Sequence, residues 1–234
     1  MREIVFDTET TGLDNQADRI IEIGCVELEN QFPTGRSLHL YINPDGRKVH
    51  PDALAVHGIT DAFLADKPVF AEVAEEIAAF FEGAHYVAHN ASFDMGFLNT
   101  EYQRVGIPAV APELVIDTLS LARRRHPMGP NSLDALCRRY GIDNAHRTKH
   151  GALLDAELLT DVYIEMLGGR QAALGLSNRD TATVERTENE EVTIIGERPR
   201  PLPPRLTEIE LEAHAALIER IGKDALWHKV SGEN

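Results

Sequence analysis

The chain has 234 residues, 43% of them hydrophobic, and a formal net charge of −15; that length holds one sizeable domain plus an appendage. No apolar run reaches membrane-spanning length and Met1-Arg2-Glu3 leads straight into a strand pattern, so neither a spanning helix nor a signal peptide is expected. The acidic balance argues against strong unaided binding to nucleic acid, since neutralising phosphates supplies most non-specific affinity; a nucleic-acid substrate would need cations at the site and a partner protein.

Ile4, Val5 and Phe6 form a short apolar run that reads as a buried strand. The run changes abruptly at Asp7-Thr8-Glu9-Thr10-Thr11-Gly12. In a strand, residues i and i+2 point to the same side, so Asp7 and Glu9 present their carboxylates together. Two like charges beside an apolar core repel each other, and a hard divalent cation is the usual reason for such a pair. Taken alone, the pair reads equally well as a polar strand end.

Arg19 to Leu28 partly alternates and predicts a second strand, and Ser37 to Ile42 a third. Pro33 and Gly35 fall between them, which places the turn there and suggests an antiparallel meander with the first strand. Cys25 and Cys137 lie in apolar patterns and read as core thiols, which suggests a cytoplasmic protein. Asp52 to Val56 predicts a short helix, followed by His57-Gly58; a lone histidine there is usually a loop residue. Phe70, Val73, Ala74, Ile77, Phe80 and Phe81 recur at helical spacing, with Pro68 just ahead.

Tyr86-Val87-Ala88 predicts a strand, and His89-Asn90-Ala91-Ser92-Phe93-Asp94 follows it. Ser92 can cap the next helix, which places Asp94 in its first turn, where an acid also simply complements the helix dipole. Leu114 to Ile116 predicts a last strand ending at Asp117. Leu119 to Arg125 reads as helix, and its Arg123 to Arg125 could approach phosphates or form a solvated helix end. Ser132 to Tyr140 reads as a helix that Gly141 can terminate. Lys149 and His150 lead into a final helix to about Leu167, with Asp155 inside it.

Together these pieces are far more specific than any one of them. Asp7-x-Glu9 at the end of the first strand, Asp94 after His-Asn-x-x-Phe, and His150-x₄-Asp155 near the last helix match the three motifs of the DEDDh exonuclease family in order, separation and flanking residues. The resemblance covers residues 1–170 and implies a ribonuclease H-like α/β fold: a mixed five-stranded sheet, its first three strands antiparallel, flanked by helices. It also implies phosphodiester hydrolysis at the 3′ end of single-stranded DNA with two divalent cations, Mg²⁺ or Mn²⁺, about 4 Å apart. By the same resemblance Asp7 bridges both cations, Glu9 and Asp155 complete one shell, and Asp94 serves the other. His150 matches the general base. A histidine can take a proton from the attacking water near neutral pH, and the position of His150 ahead of the helix would let it swing in. Thr10, Thr11, Gly12 and Leu13 resemble the family's contacts to the terminal nucleotide, with Leu13 as a wedge against a base. His57, His89 and Asn90 fall where the family lines the same site.

After Gly168-Gly169 the pattern breaks down. Residues 171–206 read as a linker: Ser177 to Glu191 is polar and acidic, and Arg198 to Arg205 holds four prolines and favours extended structure. In residues 207–234, Thr207-Glu208-Ile209-Glu210 fits a capping box. Leu211, Leu217, Ile218 and Ile221 then outline a short amphipathic helix, followed by Leu226-Trp227. A helix that short is marginal in water, so it buries its face on its own domain or on a partner. The layout resembles the proofreading subunits of bacterial replicative polymerases, and that resemblance implies docking on the polymerase alpha subunit through Leu217, Ile221, Leu226 and Trp227. Gln171, Leu174 and Leu176 resemble the sliding-clamp motif Gln-x-x-Leu-x-Phe, with Leu176 in place of the aromatic. Two other readings stay open: a free-standing nuclease of RNA 3′ ends or short oligonucleotides, and a scaffold that stabilises a polymerase.

Overall fold

The computed structural model describes residues 1–145, 149–169 and 207–222. The chain divides into two units, Met1–Arg179 and Asp180–Asn234. In the first unit, β1 (Arg2–Thr10), β2 (Ile20–Glu29) and β3 (Phe32–Tyr41) form an antiparallel meander. Strands β4 (His85–Ala88) and β5 (Val115–Asp117) join it in parallel, giving the order β3-β2-β1-β4-β5. This is the mixed five-stranded sheet that the motifs imply.

The third strand begins earlier than its sequence pattern suggests. Pro33 and Gly35 lie inside β3, and the turn is Asn30-Gln31, with φ of 52° and 70°. Two positive φ values give a hairpin turn whose twist matches that of the strands. β3 is an edge strand, where Pro33 removes no interior ladder bond. Its first six residues are exposed, so the alternation that marks a half-buried strand is missing there.

Alternation along β1 sorts the molecule into layers. Ile4 and Phe6 face one side and pack with Phe70, Ile77 and Phe81 of α3 (Phe70–Phe81) and Phe97 and Tyr102 of α4 (Ser92–Arg104). The α1 (Pro51–His57) and α2 (Asp61–Leu64) helices precede that layer. On the other side Val5 packs with Leu159 and Tyr163 of α7 (Ala152–Leu167), and the Tyr163 hydroxyl donates to Glu3 Oε1 at 2.7 Å. Helices α5 (Thr118–Arg125) and α6 (Leu133–Tyr140) pack under α7 through Ala122, Leu136 and Cys137. Cys25 and Cys137 are buried free thiols.

Ser92 is the first residue of α4 rather than its cap, and Ala91 precedes it in helical conformation. The N–H groups of Asn90 and Ala91 donate instead to Asp117 Oδ1, at 3.1 and 3.3 Å, from across the sheet. The same oxygen accepts from Leu119 N–H at 3.0 Å, and Oδ2 accepts from Ser120 Oγ at 2.6 Å. Burial raises the Asp117 carboxyl, but the bonds from Ser120, Ala91, Leu119 and Asn90 outweigh that and hold it below its usual value. A lowered folded value means the stabilisation is present above the unfolded pKa and is lost as pH falls through the folded one. Asp117→Ala should therefore cost about 2 kcal/mol in urea unfolding at neutral pH, and the deficit should shrink on acidification. A constant deficit between neutral and strongly acid pH would show that the carboxylate charge is irrelevant.

In the second unit, α8 (Glu208–Ile221) carries the expected capping box: Thr207 N–H donates to Glu210 Oε2 at 2.8 Å, and Glu210 N–H donates to Thr207 Oγ1 at 3.4 Å. Ile209, Leu211, Leu217 and Ile221 are exposed. No helix among the described residues is long and apolar enough to cross a membrane.

Candidate active site

β1 pairs with β4 only from Glu3 to Val5, so the last five residues of β1 run on past the end of that ladder. The carboxyl ends of parallel strands are where open α/β sheets place their ligands. Asp7 and Glu9 lie on this overhang, on the face that α7 covers. Asp155 reaches the same face from the first turn of α7, almost fully buried, and His150 sits just ahead of the helix.

One ligand atom each from Glu9, His150 and Asp155 lie within 4.8 Å of one another. His150 Nδ1 is 3.3 Å from Asp155 Oδ2, so the ring is already beside the carboxylates and no swing is needed to bring it there. The His150 N–H donates to Val56 O at 3.4 Å, which ties this segment to α1. Two carboxylates so close together suit a divalent cation that accepts oxygen ligands, which would offset their repulsion, and the imidazole stands beside them.

Asp7 is not part of that tight group, and neither is Asp94. Asp94 approaches from the α4 layer, where its Oδ1 accepts from Thr8 N–H at 3.1 Å and from Thr8 Oγ1 at 2.7 Å. Thr8 stands between Asp7 and Glu9 and points to the opposite face. Asp94 is thereby tied to the strand that carries both acids. Burial pushes its carboxyl up to about 7, against the pull of the Thr8 bonds.

The loop after β1 closes on a residue that the motifs do not contain. Asp18 accepts from Thr11 Oγ1 at 3.1 Å, Asp14 N–H at 3.0 Å and Arg47 Nε at 2.8 Å. Burial raises its carboxyl, but the bonds from Asp14, Arg47 and Thr11 prevail and hold it below its usual value. Gly12 leaves room for it, since a Cβ there would come within 2.4 Å of Asp18 Oδ2. Thr10 Oγ1 donates to Gly12 O at 2.6 Å, and Leu13 is left 87% exposed at the tip. An isolated aspartate in a polar loop gives no periodic signal, so only the folded loop reveals this role.

His57 is buried at the end of α1, and its Nδ1 accepts from Ile59 N–H at 2.9 Å. Burial pushes it below the usual histidine range despite the nearby Thr10 carbonyl, with Lys149 and His150 acting in the same direction as burial. A neutral ring that accepts at Nδ1 carries its proton on Nε2. That nitrogen is buried and makes no hydrogen bond of good geometry. His89 differs: Nδ1 meets Thr118 Oγ1 at 2.9 Å and Nε2 meets Asn131 O at 2.8 Å, so both ring nitrogens are engaged within the protein. Burial holds His89 below the usual range as well. Asn90 adopts φ 64° between β4 and α4. Leu217 and Ile221 lie on the exposed side of α8, whereas Gln171, Leu174, Leu176, Leu226 and Trp227 lie outside the described residues.

Comparisons with known proteins find similarity over most of the chain. Residues 4–163 match the model of the exonuclease family. The DNA polymerase III subunit epsilon of Pasteurella multocida is 43% identical over 240 residues, covering 97% of this chain and 94% of that protein. The subunit of the same name from Escherichia coli is 43% identical over 237 residues, with 97% of each chain covered. Among solved structures, exonuclease X in complex with 5′ overhanging duplex DNA is 33% identical at a TM-score of 0.54, covering 71% of this chain and 90% of that one. Exonuclease I, 20% identical, shares the fold at a TM-score of 0.65 over 74% of this chain and 42% of its own.

Proposed function

The chain belongs to the exonuclease family and, within it, to the DNA polymerase III epsilon subunits, and from that we infer that it is the 3′–5′ proofreading exonuclease of a replicative polymerase. The observation that carries the catalytic reading is the convergence of Glu9, His150 and Asp155 at the overhanging end of β1. Glu9 and Asp155, with Asp7 beside them and Asp94 across the strand, would hold two divalent cations, Mg²⁺ or Mn²⁺. When bound, such cations lower the cost of negative charge on the scissile phosphate and on the leaving oxygen.

This chain's own residues do the rest. His150 takes the proton of the attacking water, and Asp155, 3.3 Å away, stabilises the imidazolium that forms. Thr10, Thr11 and Gly12 hold the terminal nucleotide on a loop that Asp18 and Arg47 brace. Leu13 meets a base, and the buried Nε2–H of His57 offers a donor. Asn90 helps to wall the same pocket, and His89 supports that wall through Thr118 and Asn131 rather than by direct contact. A site that accepts a few unpaired nucleotides favours mismatched ends, which fray at lower cost.

Residues 1–170 form the nuclease domain in this reading, and 171–206 form a linker with a clamp-binding motif at Gln171, Leu174 and Leu176. Residues 207–234 dock on the alpha subunit of DNA polymerase III through Leu217, Ile221, Leu226 and Trp227. The relatives' name weighs against both the free RNA nuclease and the scaffold. The deciding experiment is digestion of paired and mispaired 3′ primer ends, by the chain alone and with its polymerase. Preferential release of mispaired 3′ nucleotides is expected, and equal rates on both ends would refute proofreading.

His150→Gln should lower turnover about 10²- to 10⁴-fold, the usual contribution of a positioned base. It should also flatten the rise of rate with pH, while metal affinity changes far less than in Asp155→Ala. A variant that keeps the wild-type pH profile would place the base elsewhere.

A further inference from the structure

Gly24 lies in the middle of β2, directly across from Asp7 on one side and from His39 on the other. Residues opposite one another in an antiparallel ladder point to the same face. Gly24 therefore leaves a gap in the row that α7 covers, immediately beside Asp7. Its backbone asks for no special conformation, since its φ is not among the positive ones. What demands glycine is proximity. A Cβ at this position would lie 2.1 Å from Leu153 N, 2.3 Å from Ala152 C and 2.3 Å from Leu153 Cα. All three are backbone atoms of the first turn of α7, so no side-chain rotation could relieve the contact. Ala152 is itself fully buried. That turn carries Asp155, and His150 stands two residues before it.

We propose that Gly24 is a positioning residue for the active site: it lets the first turn of α7 seat backbone-deep on the sheet, and that depth brings Asp155 and His150 to Glu9. The inference rests on the reading of those three residues as a metal-binding and catalytic set. A Cβ must lift the helix start by an ångström or more to reach ordinary contact distance. Misplacement by about 1 Å can cost 10²-fold in rate, and loosening the groups that orient metal ligands typically costs 10- to 100-fold in affinity.

The test uses the full chain and titrates Mn²⁺, following free Mn²⁺ by its electron paramagnetic resonance signal, alongside thermal unfolding without metal. Gly24→Ala should weaken Mn²⁺ binding about 10- to 100-fold. Ala152→Val adds bulk at the fully buried first residue of α7 and should act in the same direction, so the proposal stays testable if Gly24→Ala does not fold. Leu159→Ala hollows the middle of α7 and should lower the unfolding temperature without changing Mn²⁺ affinity, which separates positioning from general weakening. Wild-type Mn²⁺ affinity in folded Gly24→Ala or Ala152→Val overturns the proposal, as does an equal loss in Leu159→Ala. Asp155→Ala reports on the premise separately: if it binds Mn²⁺ as the wild type does, the metal-site reading fails, whatever Gly24 does.

Discussion

Asp7→Ala is expected to lower hydrolysis of a single-stranded oligonucleotide by about 10³-fold or more in Mg²⁺, while the protein stays folded. The rate loss follows from the proposed role, since removing one preorganised group that stabilises transition-state charge already costs about 10²- to 10³-fold, and this carboxylate would serve both cations. The stability expectation comes from the fold. Asp7 and Glu9 stand on one face of β1, and Asp155 descends on that face from α7. Without cations these like charges oppose one another, so removing one relieves repulsion. The unfolding temperature of the metal-free variant should equal or exceed that of the wild type. Added Mn²⁺ should raise the wild-type value more than the variant's, because a ligand stabilises only the state that binds it. Turnover within a few-fold of the wild type would remove Asp7 from the catalytic set.

Truncation after Gly169 should leave hydrolysis of free single-stranded oligonucleotides within about twofold of the intact chain, yet abolish stable association with the polymerase. A chain of net charge −15 should hold DNA poorly by itself, and more so as salt rises. A tether removes that handicap without new DNA contacts, because a short flexible linker raises the effective concentration to roughly millimolar. Trp227→Ala should weaken polymerase binding more than Leu176→Ala does, since a buried aromatic anchor often dominates an interface. Leu176→Ala should act on clamp contact instead. Size-exclusion chromatography of each variant with purified polymerase and clamp decides the matter. Co-elution of the truncated chain with the polymerase would move the docking surface to residues 1–169.

Much of the architecture is local, and local rules sufficed to read it. Ile4 to Phe6 had to be a strand because the run is apolar and bounded by polar residues. The helix over 70–81 followed from apolar periodicity with Pro68 just ahead of it, and the one over 132–140 from its Gly141 stop. The capping box at Thr207 and Glu210 needed only spacing. The five candidate residues were visible because each stands near the end of such an element, in the order and spacing of the three motifs.

What stayed hidden depends on partners distant in sequence. The β2–β3 turn moved to Asn30-Gln31 because Pro33 sits on a sheet edge, which no local pattern reveals. Asp117 replaces Ser92 at the start of α4 because the sheet brings residues 26 and 27 positions apart into hydrogen-bond range. His89 was expected to line the nucleotide site, and only the fold shows Thr118 and Asn131 engaging its two ring nitrogens. Gly24 is the sharpest case. In the sequence it is one small residue in an apolar strand, and its need for smallness arises only from the backbone of a helix about 130 residues later. The sequence by itself determined which residues could do chemistry, because side-chain type and strand or helix period are local properties. Only the tertiary structure decided how closely they meet, because the depth at which a helix seats on a sheet is set by excluded volume between distant parts of the chain.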